Sequence, residues 1–307
     1  MTPGKAYTYT VNPGLRTREG GILLKPISGS LHTRGAVVVT KKTPVGSELS
    51  QAKQLISFTF DQPVDKESAQ RSFSVSSGTV ASYTWVDTTM TVAVTNLGHQ
   101  RTVTASIAPG VKNAEFGLPS TKPFSTSFTT EARVTLLSVP HYRQQHAATC
   151  AVASLRMILA YRGITADEMT IVDKIGYAPT VMDKSTDPGT WDDPMQMFVG
   201  SVDGSIKDGT GAGPDAPPVA KAAQSLGRSA SAVTGISASW IAQQLHDGNP
   251  VIMFGAYGNK EGYIDWKTHS GGTARMHITS HATAVVGVKG NPEAPLGFWV
   301  QDPLTNG

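Results

Sequence analysis

Seven short segments between residues 35 and 132 constrain the fold of this chain more than any other feature. Each segment is rich in Val, Thr, Phe and Tyr, alternates apolar with polar side chains, and is bounded by Gly, Pro, Asn or Asp. Such alternation is typical of strands that bury one face, and the bounding residues favour turns. The segments are 36–39, 55–60, 73–75, 81–85, 90–94, 102–107 and 124–128. Seven short strands over about 100 residues predict a β-sandwich.

Short motifs from the start of the chain recur further along it. Pro-Gly at 13–14 returns at 109–110, and Lys-Pro at 25–26 returns at 122–123, which gives offsets of 96 and 97 residues. This period is the length of one small sandwich. Residues 1–34 are therefore predicted to be the C-terminal part of a truncated repeat. Because the chain thus begins part-way through a repeat, we expect the gene product to extend upstream with more such units and an export signal.

Two short sequence motifs in the predicted sandwich are similar to those of a known domain family. Phe-Thr-Phe-Asp-Gln-Pro-Val-Asp at 58–65 and Ser-Phe-Thr-Thr at 127–130 occur in the order expected for a central strand with its turn and a closing strand. In this respect residues 35–132 resemble bacterial Ig-like domains of the surface-layer type. The resemblance implies a spacer or adhesion module at a bacterial surface and no catalysis.

The pattern changes after residue 132. A strand over 133–139 is followed by the first long helical pattern, which runs from Cys150 to about Arg162 and is ended by Gly163. A second helix is predicted from Thr165, as its N-cap, to Ile175. Further helices are predicted over 217–226 and 237–246, and strands over 250–254, 281–288 and 297–302. Helices followed by strands predict an α+β domain over residues 133–307.

Composition limits the classes of function. A chain of 307 residues with 39% apolar side chains can build two cores, and its apolar runs are too short to cross a bilayer. The net charge of +3 comes from Lys and Arg that are scattered along the chain. Nucleic acid is therefore excluded as the expected partner.

Metal and cofactor motifs are also missing from the sequence. One Cys without His-Glu-x-x-His leaves no zinc ligand set, and the acids around 191–194 lack the spacing of a calcium loop. The Gly-rich stretch at 209–213 lacks the Lys-Ser/Thr of a phosphate loop, so it is interpreted as a flexible or cleft-lining loop. We expect neither a metal nor a cofactor.

Cys150 is the only cysteine of the chain. It cannot form an intramolecular disulfide, so it is either core packing or a reactive thiol. The sequence places it at the start of the first long helix, where free backbone N–H groups and the helix dipole favour a thiolate. We therefore expect a lowered pKa for the Cys150 thiol and alkylation below neutral pH.

A reactive thiol needs a base, and eight histidines compete for that role. His281 is favoured because it opens an apolar β-run, which would hold its ring at a strand end. His277, four residues earlier, is the alternative if the strand extends back. Asp302 follows the next predicted strand, so an antiparallel neighbour would bring it beside His281 to orient the imidazole. Gln144, with Gln145 as its alternative, is close enough to Cys150 to stabilise an oxyanion.

Six motifs in order around these residues resemble the papain-like cysteine peptidases of the C39 type, in particular the exported C39-like branch. The motifs lie at 139–144, 149–163, 191–200, 248–252, 280–287 and 301–303. The resemblance implies that Cys150 is the nucleophile, His281 the general base, Asp302 the residue that orients it, and Gln144 the oxyanion glutamine. This chain departs from the family at Ala151, where Gly is usual, and over 209–218, which affects substrate specificity.

The sequence therefore predicts a multidomain protein, with an all-β Ig-like sandwich followed by an α+β papain-like cysteine peptidase domain. Its expected activity is hydrolysis of peptide bonds in a peptide or protein substrate. It is expected to be extracellular or at a bacterial cell surface, with cell-wall or surface association through the Ig-like domains. Two alternatives remain open, namely a surface binding or adhesion protein with a silent papain-like domain and a thiol amidase or transamidase.

Overall fold

A computed structural model of the chain describes residues 1–258 and 261–305. The chain is mostly β with few helices. It divides into two compact units, Met1–Ala132 and Arg133–Gly307. Within the described ranges, no helix has the length and apolar character needed to cross a membrane.

The first unit contains ten strands and one short helix. The strands are β1 (Ala6–Val11), β2 (Ile27–His32), β3 (Val39–Thr43), β4 (Gly46–Leu49), β5 (Lys53–Phe60), β6 (Phe73–Val75), β7 (Thr79–Val86), β8 (Thr89–Thr95), β9 (Thr102–Ile107) and β10 (Phe124–Thr130), and helix α1 (Lys66–Ser72) lies between β5 and β6. Strands β1 and β2 pair only with each other, and the others form two four-stranded sheets with the orders β3-β5-β8-β7 and β4-β10-β9-β6.

One core joins the two four-stranded sheets. Phe58 and Met90 from one sheet and Val103, Ile107 and Phe128 from the other are buried in the same cluster. They occupy alternate positions of their strands, because successive side chains of a strand point to opposite faces. The first unit is thus a two-layer all-β structure, and its assignment as an Ig-like sandwich stays a prediction.

Local patterns predicted most of these strands. Strands β6 and β9 have the predicted bounds. The predicted strand over 36–39 was placed too early, because Val38 N–H donates to the Asp61 side chain at 2.9 Å and regular pairing starts only at Val39. Helix α1 was not predicted, although Asp65 is its N-cap and accepts from Ser68 N–H at 2.7 Å.

The second unit contains four helices and ten strands within the described residues. They are β11 (Val134–Leu136), α2 (Cys150–Tyr161), α3 (Glu168–Ile175), β12 (Tyr177–Ala178), β13 (Thr190–Trp191), β14 (Phe198–Gly200), β15 (Gly211–Ala212), α4 (Ala216–Ser225), α5 (Ala238–His246), β16 (Val251–Ala256), β17 (Tyr263–Thr268), β18 (Thr273–His277), β19 (Ser280–Asn291) and β20 (Ala294–Gln301). Helices mostly precede the long strands, which is an α+β arrangement.

Strand β19 is the centre of the second unit. It pairs antiparallel with β11, β16 and β20. Ala284 and Val286 pack with Met157 of α2, whereas Val285 and Val288 pack with α5. Because both faces are covered, β19 is buried along most of its length. The rigid strand starts next to His281, and this fixes the position of the histidine.

Some predicted boundaries of the second unit were wrong. Helix α3 begins after Asp167, whose carboxylate accepts from Thr170 N–H at 2.6 Å, so Thr165 is not the N-cap. Strands β17 and β18 were missed, because polar residues interrupt their apolar pattern. Helices α2, α4 and α5 lie within one or two residues of the predicted bounds.

Candidate active site

Cys150 is the first residue of α2, and packing of the helix fixes its position. Val152, Leu155 and Leu159 are buried in the core that also holds residues of α3, α4 and Ala282 of β19. Truncating one of these leucines to Ala is expected to cost about 2–5 kcal/mol of stability. The apolar stripe that predicts the helix therefore also holds the thiol in place.

His281 and Asp302 form a hydrogen-bonded pair at the end of the central sheet. His281 Nε2 donates to Asp302 Oδ1 at 2.8 Å, and the same oxygen accepts from Leu304 N–H at 2.9 Å. The antiparallel pairing of β19 with β20 opposes Ala284 to Gln301, which brings the two side chains together as the sequence predicted. Since Nε2 donates to the carboxylate, Nδ1 of His281 is left with a free lone pair.

The segment before Cys150 is tied to the segment that contains Asp302. His141 Nε2 donates to the main-chain oxygen of Asp302 at 3.0 Å. Gln144 N–H donates to the Pro303 carbonyl at 2.9 Å, and Gln301 Nε2 donates to the Val139 carbonyl at 2.6 Å. These bonds align the two segments side by side. Sequence reasoning missed His141, because a histidine that binds a distant carbonyl has no local signal.

Cys150, His281 and Gln144 line one cleft of about 370 Å³. Among the described lining residues, only Cys150, His281 and Tyr257 carry ionisable side chains. The Tyr257 ring stands edge-on to the His281 ring, with centroids 5.6 Å apart. The other lining residues are Ala147, Ala148, Ala151, Gly204, Ser205, Ile206, Gly211, Ala212, Gly213, Pro214, Phe254, Met276, Ile278, Thr279, Ser280, Ala282 and Leu304. Most residues that line the cleft therefore have small or apolar side chains.

The Gly-rich stretch forms part of this wall. A Cβ on Gly213 would lie 2.8 Å from the Ala148 carbonyl oxygen, and a Cβ on Gly211 would lie 2.4 Å from the Ser201 carbonyl oxygen. Glycine is needed at both positions because the backbones approach so closely. Of the two interpretations of this stretch from the sequence, the cleft-lining one is confirmed.

The expected lowering of the thiol pKa is wrong in its direction. Burial raises the pKa of the Cys150 thiol, and the backbone N–H groups of Ala282, Ala151 and Cys150 offset this only in part, while the charge of Asp302 raises the pKa further. Desolvation disfavours the charged form of an acid. Burial therefore favours the neutral form of the Cys150 thiol, against the effect of the helix N-terminus.

Gln144 and Gln145 differ in their surroundings. The Gln144 side chain lines the cleft, but its amide donates to the His146 carbonyl at 2.8 Å and to the Ala147 carbonyl at 2.9 Å. Its Oε1 is buried and has no hydrogen-bond partner among the described residues. Gln145 is exposed and does not line the cleft. As an oxyanion donor, Gln144 would have to rotate its amide.

The other candidate base, His277, lies outside the cleft. Strand β18 ends at His277 and β19 begins at Ser280, so the strand does not extend back as that alternative required. The Nδ1 atom of His277 accepts from Thr279 N–H at 3.1 Å, and its ring packs edge-on against Tyr263. Among the described residues, no cluster of three or more His, Cys, Asp or Glu is arranged to hold a metal ion.

Cys150 and His281 line one cleft, and His281 is hydrogen-bonded to the Asp302 carboxylate. These are the residue types that thiol hydrolases use. The family comparison agrees with this class. The model of the Peptidase_C39 like family matches residues 136–307, and the chain belongs to this family.

Two individual proteins match parts of this chain. The protein named "Uncharacterized protein YvpB" of Bacillus subtilis (strain 168) is 31% identical over 141 residues, which are 45% of this chain and 53% of the relative. The chain thus spans about half the length of this curated relative. A crystal structure of native alpha-2-macroglobulin from Escherichia coli, spanning domains MG0-NIE-MG1, is similar over 37% of this chain and 39% of its own, with 15% identity and a TM-score of 0.25. A TM-score of this size does not establish a shared fold.

Proposed function

We propose that this protein is a cysteine peptidase in which Cys150 attacks a peptide carbonyl and His281 is the general base. The observation that carries the proposal is the cleft that Cys150 shares with His281, whose ring is hydrogen-bonded to Asp302. Membership of a peptidase-like family supports the same reaction class. Asp302 fixes the tautomer that leaves Nδ1 of His281 able to accept a proton.

The reaction begins from a neutral thiol, because burial raises the pKa of Cys150. As the sulfur bonds to the carbonyl carbon, the thiol proton moves to Nδ1 of His281 and the carbonyl oxygen becomes an oxyanion. When the tetrahedral intermediate collapses, the C–N bond breaks and His281 returns the proton to the leaving amine. Water then attacks the acyl-enzyme carbonyl and gives a proton to His281. The C–S bond breaks, His281 passes this proton to the sulfur, and the acid product leaves.

The first amides of α2 would stabilise the oxyanion. Thr149 precedes the helix but makes no side-chain capping bond, so its side chain does not occupy the amides that follow Cys150 in the first turn. Preorganised backbone donors at a helix N-terminus suit an oxyanion. Gln144 would add a second donor after rotation of its amide away from the His146 and Ala147 carbonyls.

The test uses p-nitrophenyl acetate as an acyl donor and fluorescein-labelled casein as a protein substrate. The wild-type chain is expected to release p-nitrophenol in a burst followed by turnover, and to cleave casein. The C150A variant should lose both, while its melting temperature stays close to that of the wild type. Unchanged turnover in C150A would refute the proposal.

A silent papain-like domain in a surface binding protein is the alternative from another class. The bonds that hold the Gln144 amide away from the cleft favour it. Absence of any burst with p-nitrophenyl acetate would support this alternative. A thiol amidase or transamidase would instead show the burst and transfer the acetyl group to an added amine, such as glycinamide, faster than to water.

We propose further that the first unit is an Ig-like spacer of an extracellular or cell-surface protein. The two four-stranded sheets that share one core, together with the motifs at 58–65 and 127–130, support this proposal. Co-sedimentation of the full chain with purified bacterial cell walls tests the association. Recovery of the protein in the soluble fraction at every wall concentration would contradict it.

A further inference from the structure

Glu168 is a buried carboxylate that the proposed reaction does not use. It is the first residue of α3 and is fully buried, whereas the N-cap role of that helix belongs to Asp167. No salt bridge to Glu168 exists among residues 1–258 and 261–305. Burying a carboxylate without a cation is unfavourable unless hydrogen bonds compensate. Its contacts therefore indicate why this position is occupied by an acid.

Both carboxylate oxygens bind the turn that links Gln144 to Cys150. Oε1 accepts from Gln145 N–H at 2.9 Å, and Oε2 accepts from the Thr149 hydroxyl at 2.6 Å. Gln145 and Thr149 are the two ends of this turn, which we call the 145–149 turn. Glu168 thus fixes the distance between the residue that follows Gln144 and the residue that precedes Cys150.

The bond to Thr149 also changes the start of α2. A Thr at an N-cap ordinarily accepts from the second or third amide of its own helix. Thr149 makes no such bond. Its buried hydroxyl lies within hydrogen-bond reach of two acceptors, Glu168 Oε2 at 2.6 Å and the His146 carbonyl oxygen at 3.0 Å. The first amides of α2, beside Cys150, are therefore not occupied by the Thr149 side chain.

We propose that Glu168 is a positioning residue, which holds the 145–149 turn in place and thereby fixes Gln144 relative to the helix N-terminus at Cys150. This inference rests on the proposed function. Glu168 acts through hydrogen bonds. A glutamine at this position can still accept from Gln145 N–H and can donate to the Thr149 hydroxyl, whereas an alanine can do neither.

The test compares two reactions of the same thiol in E168A and E168Q. Acylation by p-nitrophenyl acetate passes through an oxyanion, whereas alkylation by iodoacetamide displaces iodide and forms none. In E168A we expect kcat/KM for p-nitrophenyl acetate to fall by about 30- to 100-fold, because small displacements of catalytic groups are costly. The alkylation rate should change by less than about threefold, and E168Q should restore acylation to within about threefold of the wild type.

D203N is the matched control. Asp203 accepts from Ala147 N–H of the same turn at 3.2 Å, but its side chain is 64% exposed, so water can replace its bond. Its acylation rate should stay close to that of the wild type. Melting temperatures of all variants are measured alongside, and E168Q provides the answer if E168A does not fold.

The outcomes separate the two proposals. Wild-type acylation in E168A, or equal losses of acylation and alkylation, would overturn the positioning role while leaving Cys150 as the nucleophile. Failure of E168Q to restore acylation in a folded protein would also overturn it, because the role is assigned to hydrogen bonds. A wild-type chain without Cys150-dependent acylation would instead refute the proposed function and, with it, this inference.

Discussion

Two histidine–aspartate pairs lie close in sequence or in space to Cys150, and their surroundings differ. In the pair of His281 and Asp302, the side chains are 8% and 23% exposed. In the pair of His146 and Asp203, they are 30% and 64% exposed. The nitrogen–oxygen distances are similar, 2.8 and 3.1 Å. The same two residue types therefore form hydrogen bonds of similar length at very different exposure to solvent.

The difference shows why a hydrogen bond alone does not mark a catalytic pair. Asp302 also accepts from a backbone N–H, and its own carbonyl is held by His141, so the carboxylate cannot turn away. Asp203 has its pKa lowered by hydrogen bonds from the His146 side chain and the Ala147 amide, but water competes for it. Exposed pairs contribute little to stability or rigidity. We expect only the enclosed pair to control the chemistry of Cys150.

Removal of each histidine is expected to give the largest contrast. H281A should lower kcat/KM for p-nitrophenyl acetate by about 10²–10⁴-fold, the range for loss of a general base. H146A should stay within about threefold of the wild type, since its ring belongs to an exposed pair. Steady-state kinetics on folded variants measures both, and losses of equal size would remove the distinction between the pairs.

Replacement of each aspartate sharpens the contrast. D302A should lose about 10²-fold in kcat, because His281 is no longer oriented. D302N should lose about tenfold or less, since the amide oxygen still accepts from His281 and from Leu304 N–H. D203N serves as the exposed counterpart and should retain nearly full activity. Similar kcat values for D302A and D203N would show that orientation by Asp302 is unimportant.

The pH dependence of alkylation tests the state of the thiol. Burial raises the pKa of Cys150, so the neutral form persists to higher pH than in an unfolded chain. The iodoacetamide rate should rise with pH through a midpoint above about 8.5, the usual value for a free cysteine. Fast alkylation near pH 6 would instead show a preformed thiolate–imidazolium pair.

The smallest effect concerns stability in acid. A lowered pKa of Asp203 means that its contribution is present above the pKa of the unfolded chain and is lost as the pH falls through the folded value. D203N should therefore be slightly less stable than the wild type at neutral pH, and the difference should shrink progressively as the pH falls below about 3.9. Thermal melts over this range measure it. A difference that grows in acid would contradict the assigned cause.

Local sequence patterns predicted the features that depend on local chemistry. The apolar stripe of α2, the start of β19 and the antiparallel strand before Asp302 were sufficient to bring His281 and Asp302 together. The features of the site that were missed depend on distant partners. Glu168 has the pattern of an ordinary acid in a first helical turn, and only its contact with Thr149 reveals the buried role.

The thiol illustrates the same limit. Its position at a helix start predicts a lowered pKa, but the enclosure that reverses the direction comes from residues of β19 and from the Gly-rich wall, far along the chain. The Gln144 amide is likewise directed by carbonyls whose orientation depends on the fold of the 145–149 turn. Burial and carbonyl orientation are tertiary properties, which a single sequence does not display.

Peptide mapping of the acyl-enzyme tests the central claim most directly. The wild-type chain is mixed with p-nitrophenyl acetate, quenched in acid during the burst, digested and analysed by mass spectrometry, with C150A as the matched control. We predict one acetyl group on the peptide that contains Cys150, lost again as turnover proceeds, and none at the same position in C150A. Acetylation that spares Cys150 during wild-type turnover would contradict the account.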